Sequence, residues 1–214
     1  LKVPSKMGSS FPFNILWWNI YKGEEAWDWV EWKDPKNAES FGPLRGKGYS
    51  PNNAAFYGDS IWYFPGNSGN LYQLKLEYKS EDENRRPEAT DLIKYKIDGY
   101  PGENDNIIFA DIAINKQGDD LFLYGSHSKG RFFRIDLQRV IQSGNDSAET
   151  VECEEGNCIE VKGAYKTLSN DLQVKPTYGD QAQKGLQLAF NDIDNVNSKG
   201  SALWGQTYSN PEKS

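Results

Sequence analysis

Residues 51–77 and 107–140 are two copies of one phrase, PNNAAFYGDSIWYFPGNSGNLYQLKLE and IIFADIAINKQGDDLFLYGSHSKGRFFRIDLQRV. Gly58-Asp59 align with Gly118-Asp119, Ile61-Trp62 with Leu121-Phe122, and Gly66 with Ser126, each sixty positions further on. After a slip of one residue, Leu71-Tyr72 align with Phe132-Phe133, Leu74 with Ile135, and Leu76 with Leu137. A supersecondary unit repeated at a fixed period decides the architecture before any single segment does. Each copy holds three strand-like runs, the first two joined by a tight Gly-Asp turn and the next two by a polar loop.

The rest of the chain takes its place around these copies. Residues 91–97 (DLIKYKI) alternate and supply a fourth, outer strand to the first copy; residues 159–165 do so for the second. Residues 185–190 (GLQLAF) resemble the start of a third copy, and in 202–208 (ALWGQTY) Leu203-Trp204 fall where Ile61-Trp62 fall. At the other end, 14–20 can be laid on 70–76, with Trp18 on Leu74 and Ile20 on Leu76, and 26–33 follows as an outer strand. The two terminal pairs are therefore expected to complete one sheet, 14–20 pairing with 202–208, because closure removes exposed sheet edges. Residues 34–50 read as a Pro/Gly-rich connection, and 139–149 as a helical turn. The fold class is all-β, with four-stranded antiparallel blades in a single domain over 1–214, or in part of a larger ring.

Composition narrows the function. Aromatic residues make up 14% of the chain and suit strands packed into a core. Net charge is −7, with no basic stripe to meet phosphates, so a nucleic-acid partner is not expected. No apolar run reaches the roughly 20 residues needed to span a bilayer. The chain opens at Leu1, which fits removal of a leader. Cys153 and Cys158 flank Glu-Glu-Gly-Asn, a spacing that fits a hairpin closed by a disulfide and points to an extracellular or periplasmic protein; two free thiols are the alternative. Asn145-Asp-Ser is a formal glycosylation sequon.

The repeat phrases PNNAAFYGDSIWYF and FADIAINKQGDDLFLY, each followed by a strand ending in Leu, resemble blades of NHL-repeat and gluconolactonase-like β-propellers. Four-bladed hemopexin-type domains are a second likeness. The first resemblance implies a metal-binding Asn in a Pro-Asn-Gly phrase, and Pro51-Asn52-Asn53 keeps that Asn while losing the Gly. The family's Pro-Asp-Gly phrase is missing, so lactonase activity is not expected. Residues 13–24 are also similar to the first strand of the endonuclease/exonuclease/phosphatase family, with Asn19 at the metal position. That family needs two histidines, and His127 is the only one.

On the propeller reading, ligands sit over the axis, where loops before the innermost strands meet those between second and third strands. This places Asn52, Asn53 and Asp111 with Asn67, His127 and Arg131 on one rim, suited to a protein or a glycan. The same residue types also serve turns through Asx geometry, which competes with a binding role. Asp192 and Asp194 in NDIDNVN offer oxygen ligands for Ca²⁺, though Val196 and a missing Gly break the EF-hand pattern. Trp27, Trp29 and Trp32 form either a stacking platform or core. The expectation is a non-enzymatic binding or structural domain without a resident cofactor. A Ca²⁺-dependent secreted hydrolase on the same scaffold, or a carbohydrate-binding β-sandwich, is the alternative.

Overall fold

The computed structural model describes residues 15–19, 27–41, 51–65, 69–78, 86–100, 109–127, 131–146, 149–153, 156–169, 186–191 and 202–207. These form an all-β protein with two short helices. Its strands are β1 (Leu16–Trp18), β2 (Trp27–Trp29), β3 (Glu31–Trp32), β4 (Pro51–Tyr57), β5 (Ser60–Pro65), β6 (Asn70–Tyr78) and β7 (Pro87–Ile97). They continue as β8 (Phe109–Gln117), β9 (Asp120–His127), β10 (Arg131–Asp136), β11 (Thr150–Cys153), β12 (Gly156–Val161), β13 (Tyr165–Ser169), β14 (Leu186–Asn191) and β15 (Ala202–Thr207). Helix α1 (Pro35–Phe41) follows β3, and α2 (Leu137–Asn145) follows β10.

Each repeat folds into a four-stranded antiparallel unit, β4-β5-β6-β7 for the first and β8-β9-β10-β13 for the second. The first hairpin turns at Gly58-Asp59 between the pair Tyr57 and Ser60, the second at Gly118-Asp119 between Gln117 and Asp120. Gly58 has φ 59° and Gly118 φ 60°, the left-handed region that two-residue hairpin turns demand and that glycine enters at no steric cost. The sequence repeat is thus also a backbone repeat.

The way the two units pack is set by which face each repeat position takes. Trp62, Phe64 and Leu71 of the first unit are buried in one core together with Leu121, Leu123, Phe133 and Ile135 of the second. The repeat equivalents of that second group are Ile61, Tyr63, Tyr72 and Leu74, and these lie on the opposite face of the first unit, in a separate cluster with Val30, Ile15 and Trp17. Conversely, Phe122, Tyr124 and Phe132, the equivalents of Trp62, Phe64 and Leu71, are half-buried on the second unit's other face, Tyr124 stacked on Phe132 at 6.1 Å. The front of one unit therefore meets the back of the next. Complete burial of each of these large apolar side chains contributes roughly 1.5–3 kcal/mol.

Rings seal this joint. Phe64 stacks on Tyr100 with centroids 5.1 Å apart and meets Phe133 edge-on at 6.4 Å. Tyr100 in turn sets its edge against Phe133 at 5.4 Å and Tyr165 at 5.5 Å. β4 and β8, the end strands of their sheets, lie close together, and β14 lies close to β8 and β9.

Three expectations are corrected. First, 159–165 does not form the outer strand of the second unit. Ile159, Glu160 and Val161 pair in parallel with Tyr95, Lys96 and Ile97 of β7, and β13 takes the outer place instead. The cause is burial: Val161 is fully buried in the shared core, its carbonyl accepts from Asp98 N at 2.9 Å, and the chain turns at Gly163 before β13 begins. Segment α2–β11–β12 thus leaves the second unit, adds two strands to the first unit's sheet, and returns.

Second, 26–33 is not one strand. It breaks at buried Val30, whose N–H donates to Ile15 O at 2.9 Å, and Glu31–Trp32 then pairs in parallel with Glu88 and Ala89. Helix α1 follows because Asp34 caps it, accepting from Lys36 N at 2.9 Å, with Pro35 in the first turn. Asn37 Nδ2 fastens it to Thr90 O at 2.7 Å, and Trp32 packs on Phe41 at 5.6 Å.

Third, the terminal pairs do not share a sheet. β1 pairs with β2, and β14 with β15, each in a separate two-stranded sheet. A partner close in sequence costs little loop entropy, so each hairpin closes locally. Among the described residues, no helix is long and apolar enough to cross a membrane.

Candidate binding rim

The strand ends opposite the two Gly-Asp turns carry most of the residues singled out from the sequence. Each inner strand begins with a bulge. In β4, Pro51 pairs with Pro65 but Ala54 with Tyr63, so Asn52 and Asn53 stand where the partner strand has a single residue. In β8, Phe109 pairs with His127 but Asp111 with Ser126, which leaves Ala110 as the extra residue. Bulges bend a strand and re-aim its side chains, and they are common at sheet edges and beside binding sites. Both units carry one at the same end.

In the second unit the register gathers three candidates. His127 lies opposite Phe109 on one side and Arg131 on the other, and Asp111 is the next paired residue along β8. Neighbouring strands are about 4.8 Å apart, so Asp111, His127 and Arg131 share one strand end within a few residues. Asn52 and Asn53 occupy the corresponding end of the first unit, on the strand that lies close to β8. Asn67 lies outside the described residues, as do Asp192 and Asp194. Among the described residues, no group of three His, Cys, Asp or Glu side chains is placed to hold a metal ion.

Within the first unit a buried polar chain runs toward Ser60, beside the Gly58-Asp59 turn. Tyr95 Oη donates to Gln73 Oε1 at 2.8 Å, and Gln73 Nε2 donates to Ser60 Oγ at 2.9 Å. Burial, aided by the charge of Asp91, pushes the Tyr95 phenol up to about 12. Burial and the neighbouring Tyr165 hold the Tyr100 phenol well above its ordinary value. Both rings therefore remain neutral in any physiological medium, and Tyr95 serves as a fixed donor that satisfies the buried Gln73 amide.

At the Gly-Asp end of the second unit lies a cleft of about 320 Å³ between the β8–β9 turn and α2, lined by Asp119, Asp120, Asp136, Arg139, Gln142 and Asp146 among others. Asp136 is the N-cap of α2, accepting from Arg139 N at 3.0 Å. Sequence reasoning passed over this cleft, because its acidic residues converge only once α2 folds back beside the turn. The Asp-Leu-Gln-Arg start of the helix is the one local signal for it.

Cys153 and Cys158 are joined, with Cα atoms 5.9 Å apart, as their spacing led one to expect. The bond staples the β11–β12 hairpin, in which Cys153 pairs with Gly156 and Val151 with Cys158. Cys158 is buried and Gly156 takes φ 108°, which only glycine adopts without strain. Trp29 and Trp32 are half-buried, Trp32 against the cluster on the first unit's back, and the Trp27 side chain lies outside what the structure describes. Compared with protein-family models, with curated proteins and with solved structures, the chain has no match.

Proposed function

We propose that this chain is a non-enzymatic, extracytoplasmic binding or structural domain built as a β-propeller-like array, which recognises a protein or a glycan at the rim where its inner strands begin. The front-to-back packing of the two units carries this reading. Repetition by rotation about an axis puts unlike faces together, as a head-to-tail contact does, whereas a two-fold sandwich puts like faces together. Nearness of β4 to β8 and of β8 to β14 agrees with first strands gathered about an axis. The paired bulges then mark the axial end at which Asn52, Asn53, Asp111, His127 and Arg131 would meet a ligand. Amide, carboxylate, imidazole and guanidinium groups together suit hydroxyl-rich or carboxylate-bearing partners. The disulfide supports an oxidising compartment.

Binding to immobilised panels of glycans and of peptides tests this. The rim reading expects a retained ligand whose binding falls at least tenfold in the Asp111→Ala/Arg131→Ala variant, and is kept in Asp119→Ala at the opposite end. Binding that survives the rim substitutions, or is lost with Asp119→Ala alone, would contradict it.

A further inference from the structure

Helix α2 turns one side to the core and the other to solvent, and its sequence sets which is which. Leu137 and Val140 are buried, and Ile141 packs against the same cluster. Gly144 abuts Tyr95, whose Oη lies 2.5 Å from where a Cβ on Gly144 would stand. These positions recur at helical spacing, so they form the inward stripe. Gln138, Gln142 and Asn145 recur four and then three residues apart on the opposite stripe, and all three are exposed. Asn145 is the last residue of the helix, and Asp146 caps it, donating its N–H to Gln142 O at 3.0 Å.

Asn145 also opens Asn145-Asp146-Ser147, the one Asn-X-Ser/Thr triplet in the sequence whose middle residue is not proline. Such a triplet matters only where its Asn is accessible and the chain passes through a compartment that transfers sugars. Exposure on the outward stripe meets the first condition. The Cys153–Cys158 bond, in the hairpin that follows, supports the second, because disulfides form where secreted chains mature. We infer that Asn145 carries an N-linked oligosaccharide. This inference rests on the extracytoplasmic reading of the preceding section and adds a covalent modification to it.

In the transfer, the Asn145 carboxamide nitrogen attacks the anomeric carbon of a lipid-linked oligosaccharyl diphosphate. The new N–C bond forms as the bond from that carbon to the diphosphate oxygen breaks. The proton that the amide loses ends on the released lipid diphosphate, and nothing is oxidised or reduced. Ser147 supplies the hydroxyl that the transferring enzyme reads two residues on. Gln142 and Asp146, close to Asn145, line the cleft at the Gly-Asp end of the second unit. The bulky, hydrated saccharide therefore stands at that end, and leaves the opposite strand ends, with Asp111, His127 and Arg131, open to a partner.

Mass spectrometry of the protein recovered from the cells that make it tests this, before and after digestion with a peptide N-glycosidase. Digestion is expected to lower the mass by one oligosaccharide and to leave an aspartate at position 145. The Asn145→Gln and Ser147→Ala variants are expected to lack that shift, and Ser147→Thr to keep it. Asn145 is exposed, so Asn145→Gln is expected to fold, which an intact Cys153–Cys158 bond verifies. An unmodified sequence whose mass digestion leaves unchanged overturns the inference, and so does a shift that persists in Asn145→Gln. A chain without the shift whose two cysteines are bonded sinks the glycan alone; one with two free thiols sinks the extracytoplasmic reading as well.

Discussion

Gly125 lies directly across the β9–β10 ladder from Phe133, and a Cβ on Gly125 would clash with the tip of the Phe133 ring, 2.8 Å from Cε2 and 2.9 Å from Cε1. The missing side chain is what lets that ring tilt into the joint, where it meets Phe64 and Tyr100. The Gly125→Ala variant must displace a fully buried ring from a packed core, so it is expected to lose about 1–3 kcal/mol. Urea unfolding measures this. An unchanged midpoint would mean that Phe133 does not lie over Gly125.

The two hairpin glycines make a paired prediction. Gly58 and Gly118 share one conformation, and a Cβ at either would meet nothing within 4 Å. Substitution by alanine then costs only backbone strain, about 1 kcal/mol at each site. Equal losses in Gly58→Ala and Gly118→Ala, additive in the double variant, are expected from thermal unfolding. Strongly unequal losses would deny the structural equivalence of the repeats.

Alkaline stability follows from Tyr95. Its pKa is near 10 in the unfolded chain and about 12 in the fold, chiefly because burial disfavours the phenolate. Above pH 10 the unfolded state sheds a proton that the native state keeps, so stability falls with rising pH. The contribution is intact below pH 10 and declines between pH 10 and 12, with Tyr100 acting in the same direction. The Tyr95→Phe variant should flatten part of this slope. It should also cost about 1–3 kcal/mol at neutral pH, because Gln73 Oε1 loses its donor. Chemical denaturation repeated from pH 8 to 11 reads both effects.

The Cys153–Cys158 bond closes a short loop, so its removal is expected to cost about 2 kcal/mol. The loss should appear where β12 meets β7. In the Cys153→Ser/Cys158→Ser variant, amide exchange should quicken at Ile159 and Val161 more than in β5 or β9. Uniform quickening would mean that the hairpin is no separate clasp.

Much of this architecture is legible in the residues, for a physical reason. Strands β4 to β6 and β8 to β10 stand out because alternation, Gly-Asp turns and repetition all agree. The alignment of Leu71-Tyr72 with Phe132-Phe133 marks equivalent positions only; which face of one unit meets which face of the other appears in three-dimensional packing alone. The parallel docking of β12 on β7 leaves no local trace, since it depends on Val161 reaching a core made by distant strands. Likewise the bulges at Asn52-Asn53 and Ala110 are properties of cross-strand register. Helix α1 did have a signal, Asp34 before Pro35, which the Pro/Gly-rich surroundings obscured. The rim residues could be placed at one strand end by counting along the repeat; the cleft beside α2 could not.

The front-to-back stacking of the repeats is the central claim, and contacts of the Phe133 ring test it most directly. Phe133 and Tyr72 hold equivalent repeat positions. A two-fold arrangement would set those two rings against each other, whereas rotation sets Phe133 against Phe64, with centroids 6.4 Å apart. Nuclear Overhauser spectroscopy on protein with labelled aromatic rings separates the two. Cross-peaks between Phe64 and Phe133, with none between Tyr72 and Phe133, are the expected result; the reverse pattern would contradict the account.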